Sequence, residues 1–318
     1  MPESTELAPG VHRVETVTDG KLHGYHVLDG PTGPILVDPG YDAAPEEVYE
    51  PFLAGRGESL ADVVATLITH VDADHHGGLG TLREHSPGAT AMAHAADVPL
   101  IESRERTMAE LYGRYEADGI EYDTSLKQSL WDLLGPDERV DVALRGGESI
   151  AVGERRLDVL HTPGHRRGHL MLHDPAYDLV LGADGFFGRG LYDVHGEYLQ
   201  PPPYFLLPGY EDTIRLVESL APATLSFTHY EVLEGDAVEG FVEESLDFVA
   251  EFDALAVALA AEGPVTLAAA IEETVDRRGS FGLDLDLALP LEAHFTRLTE
   301  AGDLVETTAD GRRAWERT

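Results

Sequence analysis

Between Thr69 and Gly78 the chain reads Thr-His-Val-Asp-Ala-Asp-His-His-Gly-Gly, directly after the β-branched, apolar run Val63 to Thr69. That run predicts a buried strand. In an extended segment alternate side chains share a direction, so residues 70, 72 and 74 should project together. If the chain then turns into a helix, His75 comes round to join them. Imidazoles and carboxylates gathered in one short loop are the usual means of holding a metal ion. Gly77 and Gly78 permit a tight turn and close helix packing.

Other segments fit an α/β fold around this loop. His12 to Val17, His23 to Leu28 and Pro34 to Asp38 read as short strands separated by Asp-Gly and Pro-Gly turns. A helix is expected over Ala44 to Ala54, with Pro45 in its first turn. Later strands should end at His161, Asp184 and His229, each after an apolar run. Strands alternating with helices indicate an α/β class.

These segments resemble, in order, the motifs of the metallo-β-lactamase superfamily. His70 to His76 resembles its His-x-His-x-Asp-His signature. His161-Thr-Pro-Gly-His165 resembles its Thr-Pro-Gly-His motif, and Gly168-His169 follows it. Asp184 and His229 resemble its bridging aspartate and last histidine. Ile35 to Gly40 is similar to its early Asp-x-Gly strand end. The resemblance implies an αββα sandwich with a metal site at one edge of two packed sheets. It also implies His70, Asp72 and His165 at a first metal, Asp74, His75 and His229 at a second, and Asp184 between them. Asp72 stands where the family carries a second histidine. A third carboxylate makes iron or manganese more plausible beside zinc. Two divalent ions are expected, with a single ion in the second position or a non-catalytic relic of the site as the alternatives.

The implied activity is hydrolysis of a small ester, thioester or lactone by a metal-bound hydroxide, with Asp74 orienting the nucleophile. A persulfide dioxygenase using one iron, an RNA-processing nuclease and a metal-binding protein without turnover are the alternatives. His76, His161, His169 and His173 are expected in structural or supporting roles. His94, His195 and His294 are expected at the surface. Tyr204, in the Pro-rich stretch Leu191 to Gly209, is expected to face substrate from an irregular loop.

Residues 1–237 are read as the catalytic domain, with a helical insertion at about 99–134. Residues 238–318 are read as a small α+β, winged-helix-like unit. There the expected parts are a long helix over Phe241 to Ala261, a second capped by Thr266, a third over Leu291 to Ala301, and a hairpin.

Composition narrows the setting. Lys and Arg number 22 against 59 Asp and Glu, a net charge of −37. Such self-repulsion is relieved at about 1 M salt, where the Debye length is ~3 Å. The acidic, Lys-poor surface resembles proteins of halophilic archaea. It argues against gripping a phosphate backbone, so a small-molecule substrate is expected rather than nucleic acid. With no cysteine, thiolate ligands and a Cys nucleophile are excluded. No apolar run is long enough to span a membrane, and no secretory signal is visible, so a cytoplasmic location is expected.

Overall fold

The computed structural model describes residues 2–318. The first sheet comprises β1 (Glu3–Ala8), β2 (Val11–Thr18), β3 (Lys21–Gly30), β4 (Gly33–Val37), β5 (Ala65–Ile68), β6 (Thr90–His94) and β7 (Val142–Leu144), in that order. β1 to β4 form an antiparallel meander, and β4 to β7 run parallel. Asp19 and Gly20 both take positive φ between β2 and β3, the geometry a two-residue hairpin of native twist needs.

The second part of the chain gives β8 (Ser149–Val152), β9 (Arg155–His161), β10 (Leu170–Asp174) and β11 (Leu179–Ala183). β12 (Leu191–Tyr192) and β13 (Tyr198–Gln200) pair only with each other, and β14 (Thr224–Phe227) and β15 (Leu233–Glu234) follow. The second sheet is ordered β15-β14-β11-β10-β9-β8.

The inner faces of the sheets meet through Leu28, Ile35, Val37 and Leu67 on one side and Val159, Leu170, Leu172 and Leu181 on the other. Each such side chain contributes about 1.5–3 kcal/mol by leaving water. The outer face of the first sheet buries Val14, Tyr25 and Leu36 under Val48, Tyr49, Phe52 and Leu53 of the helical stretch 45–55. On the outer face of the second sheet, Leu207, Tyr210, Ile214 and Val217 recur at helical spacing along Leu207–Leu220 and cover Val180, Leu225 and Phe227. The result is an αββα sandwich.

The tail packs onto that second outer face. Helix Asp236–Leu259 leads to Leu267–Arg278, where Thr266 Oγ1 accepts from Ala269 N at 3.2 Å. Helix Ala288–Ala301 ends at Gly302, whose φ is +83. β16 (Val265–Thr266), β17 (Leu304–Ala309) and β18 (Arg312–Arg317) form a three-stranded sheet. One continuous apolar cluster runs from Val180 and Phe227 through Phe248 and Phe252 to Phe295 and Trp315.

Three features depart from the pattern expected of the sequence. β1 is an additional strand: its first residues are exposed and acidic, so it has no apolar stripe to announce it. The insertion is not one helical run but short turns followed by helix Thr124–Leu133. The stretch 191–209 holds a small hairpin, and its last residues already begin the helix at Leu207.

Candidate metal centre and substrate chamber

The centre starts at Asp38, just beyond β4, with φ +64. Asp38 Oδ1 accepts from Thr69 N at 2.6 Å, and Oδ2 accepts from the Thr69 hydroxyl at 2.8 Å and from His75 Nδ1 at 2.9 Å. This pins the chain as it leaves β5. His70 sits in the loop, Asp72 precedes the short helix Ala73–His76, and Asp74 and His75 lie in that helix. At Gly77 an added Cβ would lie 2.0 Å from the Leu133 carbonyl oxygen, so the close approach needs glycine.

Because the helix begins at Ala73, alternation stops at Asp72. Residues 70 and 72 share a direction as expected, but Asp74 turns away from them. Its oxygens lie with His23 and His229 instead. His70, Asp72 and His165 form one group whose candidate ligand atoms lie within 4.8 Å of one another, and His70, His75 and Asp184 form another. Asp184 Oδ2 is 3.4 Å from His75 Nε2 and 3.2 Å from His229 Nε2. Asp74 Oδ2 is 3.4 Å from His229 Nε2. The seven residues singled out in the sequence therefore converge from just beyond the ends of β5, β9, β11 and β14.

Four imidazoles are aimed by a bond at Nδ1. His70 Nδ1 donates to Thr69 Oγ1 at 2.9 Å, His75 to Asp38, His165 to the Pro203 carbonyl at 2.5 Å and His229 to the Leu22 carbonyl at 2.8 Å. Each Nε2 is thus left to face the cluster, the arrangement that orients metal-ligating histidines. Nε2 of His70 and of His75 and Oδ1 of Asp184 are buried without a hydrogen-bond partner. Orphaned buried polar atoms are costly, and cations bound among them would satisfy all three. The donor set fits divalent metal ions.

Electrostatics agree. Burial first, and then the neighbouring His75, pushes His70 down to about 3. Burial would lower His75 too, but Asp184 and Asp38 hold it well above the ordinary histidine value. Burial would raise Asp72 and Asp74, yet Arg166 with His165 and His70 holds the first, and Lys21 with neighbouring imidazoles the second, below the carboxylate range. Acid should therefore weaken metal binding chiefly at His75, where a strongly held proton competes with a cation for the ring nitrogen.

The supporting histidines divide. His169 Nδ1 bonds Thr162 Oγ1 at 2.8 Å while its Nε2 accepts from Asp184 N at 3.1 Å. His76 Nδ1 donates to the Asp72 carbonyl at 2.8 Å. His161 is exposed, His173 half-buried and His195 exposed. His94 and His294 are not surface residues: His94 is buried and stacks on His161 with ring centroids 4.0 Å apart. His294 is fully buried between Tyr204 Oη at 2.8 Å and Asp253 Oδ1 at 2.7 Å. Tyr204 therefore faces the tail and not the substrate space, because its hydroxyl is committed to His294. Lys21, His23, Tyr112 and Arg166 also reach the centre. No local pattern marks them, since each lies remote from the loop it touches or carries no ligand spacing.

A chamber of ≈240 Å³ opens over the cluster. Its floor includes Lys21, Asp72, Asp74, Arg166, Asp184 and His229. Leu111, Tyr112, Ile120, Tyr122, Leu126 and Leu130 of the insertion supply one wall, and Leu283, Leu285, Asp286 and Leu289 of the tail the other. Tyr122 donates to Asp286, whose carboxyl burial pushes up to about 6. Arg313 pairs with Asp118 and with Glu292 at 2.8 Å each, and Tyr115 donates to Glu292 at 2.8 Å. The two walls are thus tied together.

A family model described as the metallo-beta-lactamase superfamily matches residues 25–229. An acyl-coenzyme A thioesterase MBLAC2 of Gallus gallus is 29% identical over 134 residues, 39% of this chain and 42% of that protein. A hydroxyacylglutathione hydrolase of Mesorhizobium japonicum is 26% identical over 161 residues, 46% of this chain and 60% of that protein. The matches thus span about half the length of these relatives. Among solved structures, a metallo-beta-lactamase family protein from Thermus thermophilus superposes with TM-score 0.75 at 22% identity, covering 98% of this chain and 100% of that one. A beta-lactamase domain protein from Burkholderia ambifaria also gives 0.75, at 20% identity, covering 100% and 95%. These likenesses bear on the fold.

Proposed function

The chain belongs to the metallo-β-lactamase superfamily, and we propose that it is a metal-dependent hydrolase acting on thioesters or esters of a short to medium apolar acyl group, lactones included. The observation that carries this reading is the chamber: a leucine-rich space whose floor is a cluster of carboxylates and imidazoles. Apolar pockets with a few convergent polar groups are typical small-molecule sites. The relatives named above, a thioesterase and a hydroxyacylglutathione hydrolase, support the same reaction type.

His70, Asp72 and His165 would hold one divalent ion, Asp74, His75 and His229 a second, and Asp184 would lie between them. Zinc suits the imidazoles, and iron or manganese suits the three carboxylates. Bound there, the ions supply Lewis acidity, activating water and polarising the substrate carbonyl. The chain's own groups do the rest. The leucines exclude water from the acyl group and seat its carbonyl at the floor. Asp74, held ionised by Lys21 Nζ at 2.8 Å, is positioned to accept a hydrogen bond from the nucleophile and so orient it. The tail, read as a winged-helix-like unit, closes the chamber. Its helix Ala288–Ala301 buries every residue from Ala288 to Phe295, which opposes insertion of that segment into a nucleic-acid groove.

The test is thiol release from a series of acyl thioesters of increasing chain length, in concentrated potassium chloride, before and after chelation. Hydrolysis lost on chelation and restored by metal is expected; full activity after complete removal of metal would sink the reading. Leu126 is half-buried on the chamber wall. Leu126→Trp should shorten the preferred chain. Excluding two or three methylenes at ~0.8 kcal/mol each predicts a loss of about tenfold or more in kcat/KM for the longest good substrate. The shortest substrate should be nearly unaffected, and an equal loss on all chain lengths would argue against this wall as the acyl site.

A further inference from the structure

Asp72 is buried among three kinds of partner. Its Oδ2 lies 2.9 Å from His165 Nε2 and 3.2 Å from His70 Nε2. Its Oδ1 accepts from Arg166 Nη2 at 2.9 Å and from the Tyr112 hydroxyl at 3.2 Å. Arg166 is buried as well, and its Nη1 donates to the His165 carbonyl at 2.9 Å. No other carboxylate hydrogen-bonds this guanidinium among the described residues. A buried arginine costs several kcal/mol of desolvation, and an ion pair rarely repays that by stability alone. Its placement therefore calls for another account.

We infer that Arg166 is a positioning residue that makes Asp72 serve as a one-oxygen, charge-neutral stand-in for an imidazole. The inference rests on reading the cluster as a metal centre. The guanidinium spans two groups, holding Asp72 Oδ1 through Nη2 and the His165 carbonyl through Nη1, and so ties the carboxylate to the segment that carries His165. Together with Tyr112 it occupies Oδ1, so only Oδ2 faces His70 and His165. Its positive charge offsets that of Asp72, so the trio presents the net charge of three neutral ligands. Lys21 does the same for Asp74 at 2.8 Å. The floor's fixed charge is then −3 from Asp72, Asp74 and Asp184 plus +2 from Lys21 and Arg166, or −1. Of the three floor carboxylates, Asp184 alone has no lysine or arginine against it, and it is the group lying between His75 and His229.

A charge-matched pair predicts coupling between its members. Asp72→His alone would leave the buried guanidinium facing a neutral ring and the incoming cation. Adding Arg166→Met removes that repulsion. The test is cobalt(II) uptake by the whole chain in concentrated potassium chloride. It is read as stoichiometry and as visible d–d absorption, with folding checked by circular dichroism. Asp72→His should bind the ion of its own site at least tenfold more weakly than the parent. The double variant Asp72→His with Arg166→Met should recover to within about threefold, with the absorption band restored. A folded Asp72→His protein that binds as well as the parent, or a folded double variant no better than Asp72→His, overturns the inference. A parent protein that takes up no cobalt overturns the metal reading of the centre itself. If Asp72→His does not fold, Arg166→Gln serves instead: releasing Oδ1 should change the cobalt absorption of the parent site, and an unchanged spectrum would count against positioning.

Discussion

Replacing Asp184 by alanine should lower kcat/KM on the best thioester by about 10³-fold or more and strip the protein of most of its metal. Asp184 is delivered by a kink: Ala183, the last residue of β11, takes φ +44. From there Oδ2 reaches toward His75 and His229 together, while Oδ1 has no other partner. Loss of several kcal/mol of charge stabilisation in the transition state corresponds to three or more decades in rate. Elemental analysis and thiol release on the same preparation check it. A variant that keeps both its metal and its rate would show that the centre does not depend on this carboxylate.

The largest expected effect on stability lies away from the chamber floor. Arg13 is fully buried and ties the two sheets together. Its guanidinium donates to Ser226 Oγ at 2.8 Å, to the Phe227 carbonyl at 2.5 Å, to the Tyr230 carbonyl at 2.6 Å and to Glu15 at 2.6 Å. It lies over Gly24, where an added Cβ would stand 2.0 Å from Cζ. Gly24 N in turn donates to the Thr228 carbonyl at 2.7 Å. Arg13→Met removes one partner of a buried charged network and should cost about 3–5 kcal/mol. For a chain of this size that is roughly 10 °C in Tm. Gly24→Ala should act in the same direction. Because these bonds hold the segment carrying His229, metal affinity should fall alongside Tm. Thermal melts and metal titration in concentrated salt would show it, and an unchanged Tm for both variants would contradict this account.

Much of the centre is legible in the sequence because its donors stand at strand ends and in contiguous motifs. His70 to His75 announce themselves within six positions, and Asp184 and His229 each follow an apolar run. The Asp-Gly turn at 19–20 and the Thr266 cap are equally local. What the sequence hides is long-range. Arg166 looks like any loop arginine until Asp72, ninety-four positions earlier, is brought against it. Lys21 looks like a hairpin residue until the sheets close over Asp74. His94 and His294 read as surface residues because an isolated histidine carries no periodic signal. Their burial depends on partners at His161, Tyr204 and Asp253 that only tertiary packing supplies. The direction of Asp74 differs from expectation for another reason: one residue decides whether a segment alternates or coils, and the helix starts at Ala73.

The apolar cluster that runs without a break from Val180 and Phe227 to Phe295 and Trp315 bears on how the molecule comes apart. With no solvated polar seam between sandwich and tail, the two parts should lose their packing together, and a single thermal transition is the expected result of calorimetry. Trimming the chain before Asp236 would not release a smaller enzyme. It would uncover the side of helix Leu207–Leu220 and the rings of Phe186 and Phe227 that the tail packs against, remove one wall of the chamber, and leave a fragment prone to self-association through those apolar groups.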